Sequence, residues 1–123
     1  MTNPAMLSFA AIAPATTEHF PDADNRLKGK PRRVTNEYFA NAVHGVRAGT
    51  WQAEVGAYRV ELAATKHEFF HILTGKVAVS QPDGSDTMTY GAGDTGIIPP
   101  GFKGIFEIIE PASKFWVVTE RGV

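Results

Sequence analysis

Residues 67–75 read His67-Glu68-Phe69-Phe70-His71-Ile72-Leu73-Thr74-Gly75, and two incompatible structures fit these nine residues. On a helix, His67-Glu68-x-x-His71 would set two histidines one turn apart to hold zinc, with the glutamate activating water. Gly75 would then close that helix as a C-cap. On a strand, positions 67 and 71 stand roughly 13 Å apart at about 3.3 Å per residue, too far to share an ion, and Glu68 points to the opposite face. The surroundings decide for the strand. A zinc protease of the first kind takes a third ligand from farther along the chain, yet the only histidines are His19, His44, His67 and His71, and none follows His71. Residues 77–81 (VAVSQ) then read as the return strand of a hairpin. His67 and His71 become outward-facing strand residues, while Glu68, Phe70 and Ile72 share the inner face.

Outward from this stretch, short runs of alternating apolar and polar residues are broken by Gly, Pro and Asp at near-regular intervals. Strands are expected over 37–43, 46–55, 58–64, 67–73, 77–81, 86–90, 95–98, 102–110 and 114–120. Pro82-Asp83-Gly84 is a hairpin signal, because proline presets the first turn dihedral and glycine accepts a positive φ. Eight or nine short strands with no long helical period imply an all-β sandwich, jelly roll or closed barrel. Residues 1–36 read differently and are set apart from a main domain over 37–123. Residues 5–15 (AMLSFAAIAPA) lack the preceding positive charge of a secretory signal. They are taken as an apolar arm that packs on this domain or on a partner subunit, and the protein is expected in the cytoplasm. Residues 21–33 carry Lys28, Lys30, Arg32 and Arg33 around Gly29 and Pro31. With no aromatic residues interleaved, they read as a solvated connector rather than an anion-binding patch.

Composition limits the function. The 123 residues are 43% hydrophobic and 20% charged, enough to bury one core without staples. The net charge of −1 gives no global field toward phosphate, so nucleic acid is not an expected partner. No apolar run approaches the roughly 18 to 20 residues of a membrane-spanning helix, and no membrane partner is expected. With no cysteine there is no disulfide, no thiolate zinc site and no cysteine nucleophile.

Two spaced motifs carry a family resemblance. Glu68 is followed after six residues by Gly75, and Gly93-Asp94-Thr95-Gly96-Ile97-Ile98-Pro99-Pro100-Gly101 pairs a glycine with Pro-x-Gly five residues on. These resemble the two motifs of the cupin superfamily. The text over 49–120 resembles in particular the small single-domain cupins similar to (S)-ureidoglycine aminohydrolase. The resemblance implies a double-stranded β-helix of RmlC-like type, that is, a jelly roll of two packed antiparallel sheets with a pocket in the barrel mouth, and a homodimer.

The departures from the cupin pattern bear on the site. A metal-binding cupin has two histidines upstream of the motif glutamate; here those slots fall on Leu62 and Ala64, or on Glu61 and Ala63 in the alternative spacing. Tyr58, Val60, Leu62 and Ala64 form an apolar face, whereas burying Arg59 and Glu61 would cost several kcal/mol unless they were paired. Leu62 and Ala64 are therefore taken as the inner slots. The last histidine slot falls on Gly104, which would leave volume for a ligand. Glu68 alone remains of the usual ligand set, and one carboxylate does not outcompete water for a divalent cation. No metal or other cofactor is expected. What remains is a carboxylate in an apolar pocket: Glu68 as candidate catalytic acid or base, and Trp51, Tyr58, Phe70, Phe106 and Lys114 as binding candidates. Desolvation would raise the Glu68 pKa unless Lys114 or another cation lay against it.

Three functional classes compete. The first is a metal-free cupin that binds a small metabolite and acts through Glu68. The second is a metal-dependent cupin enzyme of aminohydrolase or isomerase type, built on Glu61 and Glu68. The third is a non-catalytic sensor or assembly module.

Overall fold

The computed structural model describes residues 3–121. The chain order is β1 (Ala15–His19), β2 (Arg26–Lys28), β3 (Arg33–Asn41), β4 (Val46–Ala53), β5 (Gly56–Glu61), β6 (Lys66–Ser80), β7 (Met88–Gly91), β8 (Thr95–Ile98) and β9 (Lys103–Glu120), with two single 3-10 turns before β3. All pairings are antiparallel. His67 and His71 lie on β6 with side chains outward, so the helical alternative for this stretch is excluded.

Two long strands build the barrel. The first half of β6 and the second half of β9 form one sheet with β8 on one side and β4, β3 and β1 on the other. The second half of β6 and the first half of β9 form the other, flanked by β7 and by β5 and β2. The two sheets expected of a jelly roll are present, hydrogen-bonded into one surface because β6 and β9 pass from each sheet into the other. Both strands bend where their register slips, between Ile72 and Val77. Gly75 occupies the left-handed region there, at φ +80°. The separate strands expected over 67–73 and 77–81 are thus one strand, as are those over 102–110 and 114–120. Residues 77–80 do not return as a hairpin, because pairing with β9 resumes beyond the bulge.

The hairpin at Pro82-Asp83-Gly84 connects β6 to β7. The Asp83 carboxylate accepts hydrogen bonds from the Ser85 N–H at 2.9 Å and hydroxyl at 2.6 Å, which lower its pKa. Between the sheets, Phe70, Ile72, Val77 and Ile108 are essentially fully buried, a burial that contributes roughly 1.5–3 kcal/mol per side chain.

Residues before 37 contribute to the sheets. β1 pairs with β3 from His19↔Arg33 to Ala15↔Glu37, and β2 pairs with β5. The loop expected over 21–33 therefore contains an edge strand, too short and too charged to show as alternation. The strand expected over 58–64 stops at Glu61. Ala63 O accepts from the Lys66 N–H at 3.0 Å, closing a turn in which Ala64 is exposed rather than inward. Among the described residues no helix is long and apolar enough to cross a membrane.

Candidate functional site

Strand register decides which side chains meet at the mouth of the barrel. On the inner face of the first sheet, cross-strand neighbours form rows: His19, Arg33 and Ala53; then Thr35, Trp51, Lys114 and Ile72; then Trp116 and Phe70; then Arg47, Val118, Glu68 and Ile98. From the second sheet come Tyr58 opposite Phe106, and Val60. Together with Glu61, Leu62 and Phe102 these elements line a cavity of about 280 Å³, close to the lower end of the roughly 300–1,000 Å³ of ligand sites.

At its centre Lys114 Nζ donates to Glu68 Oε2 at 2.8 Å. Lys114 is 6% exposed, the one charged residue that is buried among the described residues. Its ammonium lies 4.6 Å from the ring centroid of Trp51, 5.2 Å from Phe106 and 5.3 Å from Phe70. Three ring faces and one carboxylate replace its hydration shell. Of the two environments considered for Glu68, an isolated buried acid or a lysine-paired carboxylate, the structure has the second.

The remaining charges sort into answered and unanswered. Arg47 Nε lies 3.2 Å from Glu37 Oε1, and Lys103 Nζ lies 3.7 Å from Glu61 Oε1 at the exposed rim. Arg33 Cζ stands 4.5 Å over the Tyr58 ring, while its buried Nε has no hydrogen-bond partner. His19 Nε2 is 2.9 Å from Thr35 Oγ1. Burial and the neighbouring Arg33 guanidinium both hold the His19 pKa below its ordinary value. Burial pushes the Tyr58 phenol up, against the pull of Arg33.

Of the residues singled out from the sequence, Trp51, Tyr58, Glu68, Phe106 and Lys114 line this cavity. Phe70 lies beneath it, 1% exposed, in edge contact with Tyr90 at 5.0 Å between ring centroids. The space expected beside Gly104 is filled: a Cβ there would stand 2.5 Å from Phe102 Cζ and run into the Ser80 carbonyl. His19, Arg33, Thr35, Arg47 and Trp116 also line the cavity, and the sequence reading does not single them out. Alternation from Lys114 does place Trp116 on the same face, a signal that was present in the sequence. Arg33, read as part of a solvated connector, is instead the first residue of β3 and turns inward.

A metal does not fit this donor set. Among the described residues no three His, Asp or Glu side chains are close enough to hold an ion. Glu68, the carboxylate in the cupin slot, already holds an ammonium at contact distance, so a dication would have to displace it without two further His, Asp or Glu side chains, among the described residues, close enough to complete its coordination.

Residues 41–116 match the family described as EutQ-like cupin domain. A pyrimidine/purine nucleoside phosphorylase of Pseudomonas fluorescens (strain Pf0-1) is 33% identical over 73 residues, which span 55% of this chain and 78% of that protein. Among solved structures, a DUF861 family protein of unknown function from Pseudomonas syringae pv. tomato superposes with a TM-score of 0.70 at 24% identity. That match covers 85% of this chain but 44% of the other. The Clostridium difficile EutQ protein gives a TM-score of 0.62 at 16% identity, over 73% of this chain and 64% of that one. At these identities the two structures speak to the fold alone.

Proposed function

The chain belongs to the EutQ-like cupin domain family, and from that membership and the geometry of the barrel mouth we propose that it is a small-molecule-binding cupin that works without a resident metal. One observation carries the reading: the buried Lys114–Glu68 pair at 2.8 Å, set among aromatic faces in an open cavity. The pair is only partly used. Nζ has three N–H donors and gives one to Glu68 Oε2, and Glu68 Oε1 accepts no hydrogen bond among the described residues. A donor therefore stands beside an acceptor, the complement of a cyclic amide edge in which C=O neighbours N–H. The ligand is a planar heterocycle, its ring against Trp51, Tyr58 and Phe106 and its amide edge on Lys114 and Glu68. Both tryptophans of the chain, Trp51 and Trp116, line the cavity, so intrinsic fluorescence reads its occupancy. Titration with uracil and hypoxanthine should give saturable quenching in the parent and at least tenfold weaker binding in Glu68→Gln. Absence of saturation with either base, or equal binding by the variant, would overturn this reading. A stoichiometric metal in protein never exposed to chelator would sink its metal-free part.

The 33% identical relative favours a more specific second reading, because cyclic amide edges belong to the bases of pyrimidine and purine nucleosides. In phosphorolysis the C1′–N bond breaks, a phosphate oxygen bonds to C1′, and the departing base takes up a proton. Lys114 and Glu68 would hold that base. Uridine or inosine with inorganic phosphate should then release free base, and omitting phosphate should abolish release. Turnover without phosphate, or none with it, would reject this second reading. A homodimer belongs to the same proposal and is supported by the exposed apolar side chains on the outer face of the first sheet, Ile97 and Phe69 among them.

A further inference from the structure

Four basic side chains line the cavity, and Arg33 is the one cation among them whose charge has no acidic partner among the described residues. Arg47 is answered by Glu37 and Lys114 by Glu68, and burial and Arg33 itself both disfavour the charged form of His19. The Tyr58 ring face 4.5 Å from Arg33 Cζ offsets part of the charge but gives the buried Nε–H no acceptor. A buried donor without a partner is destabilising, a penalty that an arriving acceptor would relieve. The β1–β3 pairing sets His19 directly across from Arg33, and Thr35 follows two residues on along the same face, its hydroxyl 2.9 Å from His19 Nε2. All three line the cavity, and all three precede residues 41–116 of the family match.

We propose that Arg33, with His19 and Thr35, forms an oxyanion subsite at the N-terminal-strand end of the cavity, for a carboxylate or phosphate group. The subsite rests on the reading of the cavity as a ligand site but not on the heterocycle. A guanidinium offers donors in a rigid fork that matches two oxygens of such a group. The imidazole and hydroxyl add hydrogen-bonding groups to this polar end, which adjoins the Trp51 and Tyr58 rings. Strand β1 and the start of β3 would thus convert a shared domain into a site with its own anion requirement.

The test uses the full chain with inorganic phosphate and acetate as separate probes at fixed ionic strength, followed by tryptophan fluorescence and by the thermal midpoint. At least one anion should bind saturably and raise the midpoint, since a ligand that binds only the native state stabilises it. Which anion does so tells phosphate from carboxylate. Arg33→Gln should lose at least tenfold in anion affinity while binding of uracil changes less than twofold, and Arg33→Lys should fall between parent and Arg33→Gln. Anion binding without uracil binding would leave the subsite standing and remove the heterocycle. Uracil binding with no saturable anion, or anion binding that survives in Arg33→Gln, would overturn the subsite. If Arg33→Gln fails to fold, Arg33→Lys decides: unchanged anion affinity with unchanged midpoint shift would also overturn it.

Discussion

Lys114 and Glu68 stabilise each other only as a pair. Removing the ammonium would leave a largely buried carboxylate without its counter-charge, and uncompensated buried charges of this kind cost about 3–5 kcal/mol. Glu68 opens toward the cavity, with its side chain 19% exposed, so Lys114→Met should lower stability by an amount near the bottom of that range, about 3 kcal/mol. The double variant Lys114→Met/Glu68→Leu should recover most of the loss, because apolar replacements remove both charges together. Urea denaturation of the four proteins of this cycle measures the coupling, and simple additivity would deny it. His19 gives a pH signature instead. Its folded pKa is depressed below the ordinary 6.5, so the unfolded chain binds the extra proton as pH falls. Stability present above about 6.5 should therefore decline as pH drops through the folded pKa. In His19→Gln the denaturation midpoint should fall less between pH 7.5 and 5.5 than in the parent, and an equal fall would reject the assignment. These two sites differ in how far the sequence shows them. Glu68 and Lys114 each sit on an alternating run, so their inward orientation follows from the period of a strand. His19 and Arg33 meet through the register of β1 on β3, which no local pattern encodes.

Strands β6 and β9 carry the architecture, and their shared bend is its most constrained element. Gly75 combines φ +80° with a backbone packed so closely that a Cβ would run into the Pro111 carbonyl and stand 2.7 Å from Ala112 Cα. Both conditions oppose any side chain, since the left-handed region is costly for L-residues and the crowding atoms are backbone that cannot rotate away. Gly75→Ala should lower the thermal midpoint markedly, by about 3 kcal/mol or more in stability, within the range of strained special positions. A midpoint within a degree or two of the parent would show that the bend tolerates a Cβ. The same residue explains how the fold is legible while its strands are divided in the wrong places. Alternation on each side of Gly75 shows strand, and a glycine between two such runs looks like a turn. The glycine is instead a bulge within one ladder, a distinction that depends on the partner strand holding its pairing across the interruption. Likewise β5 ends early because the chain turns after Leu62, where Ala63 O accepts from the Lys66 N–H at 3.0 Å and from the Gly101 N–H at 3.2 Å, the second a contact between segments nearly forty residues apart. Ala64 continues the apolar alternation in the sequence and leaves it in the structure.

At the scale of the molecule, the outer face of the first sheet is the unpartnered surface. Ile97, Phe69 and Val117 face one another across β8, β6 and β9, with Ile97 60% and Phe69 43% exposed. One row on, Phe115 is 42% exposed and touches Phe9 of the arm, whose ring stacks on Tyr38 at 4.4 Å between centroids. The arm is thus anchored at one aromatic residue, while Met6 and Leu7 before it stand 95% and 52% exposed. A contiguous apolar face edged by an apolar arm is costly in water and is characteristic of association surfaces. A two-fold pairing would place the same face and arm of each copy against the other, covering both in one self-complementary contact. The full chain should therefore behave as a homodimer in light scattering. Deleting residues 1–14, which leaves β1 and its pairing intact, should weaken that dimer at least tenfold, equivalent to about 1.4 kcal/mol. Phe69→Glu, which puts a charge in the middle of the face, should give monomers that keep the cavity, so uracil still quenches their tryptophan fluorescence. A monomeric parent would remove the dimer altogether. A dimer indifferent to both changes would move the interface to another face, and a Phe69→Glu monomer that no longer binds uracil would show that the second copy supports the site.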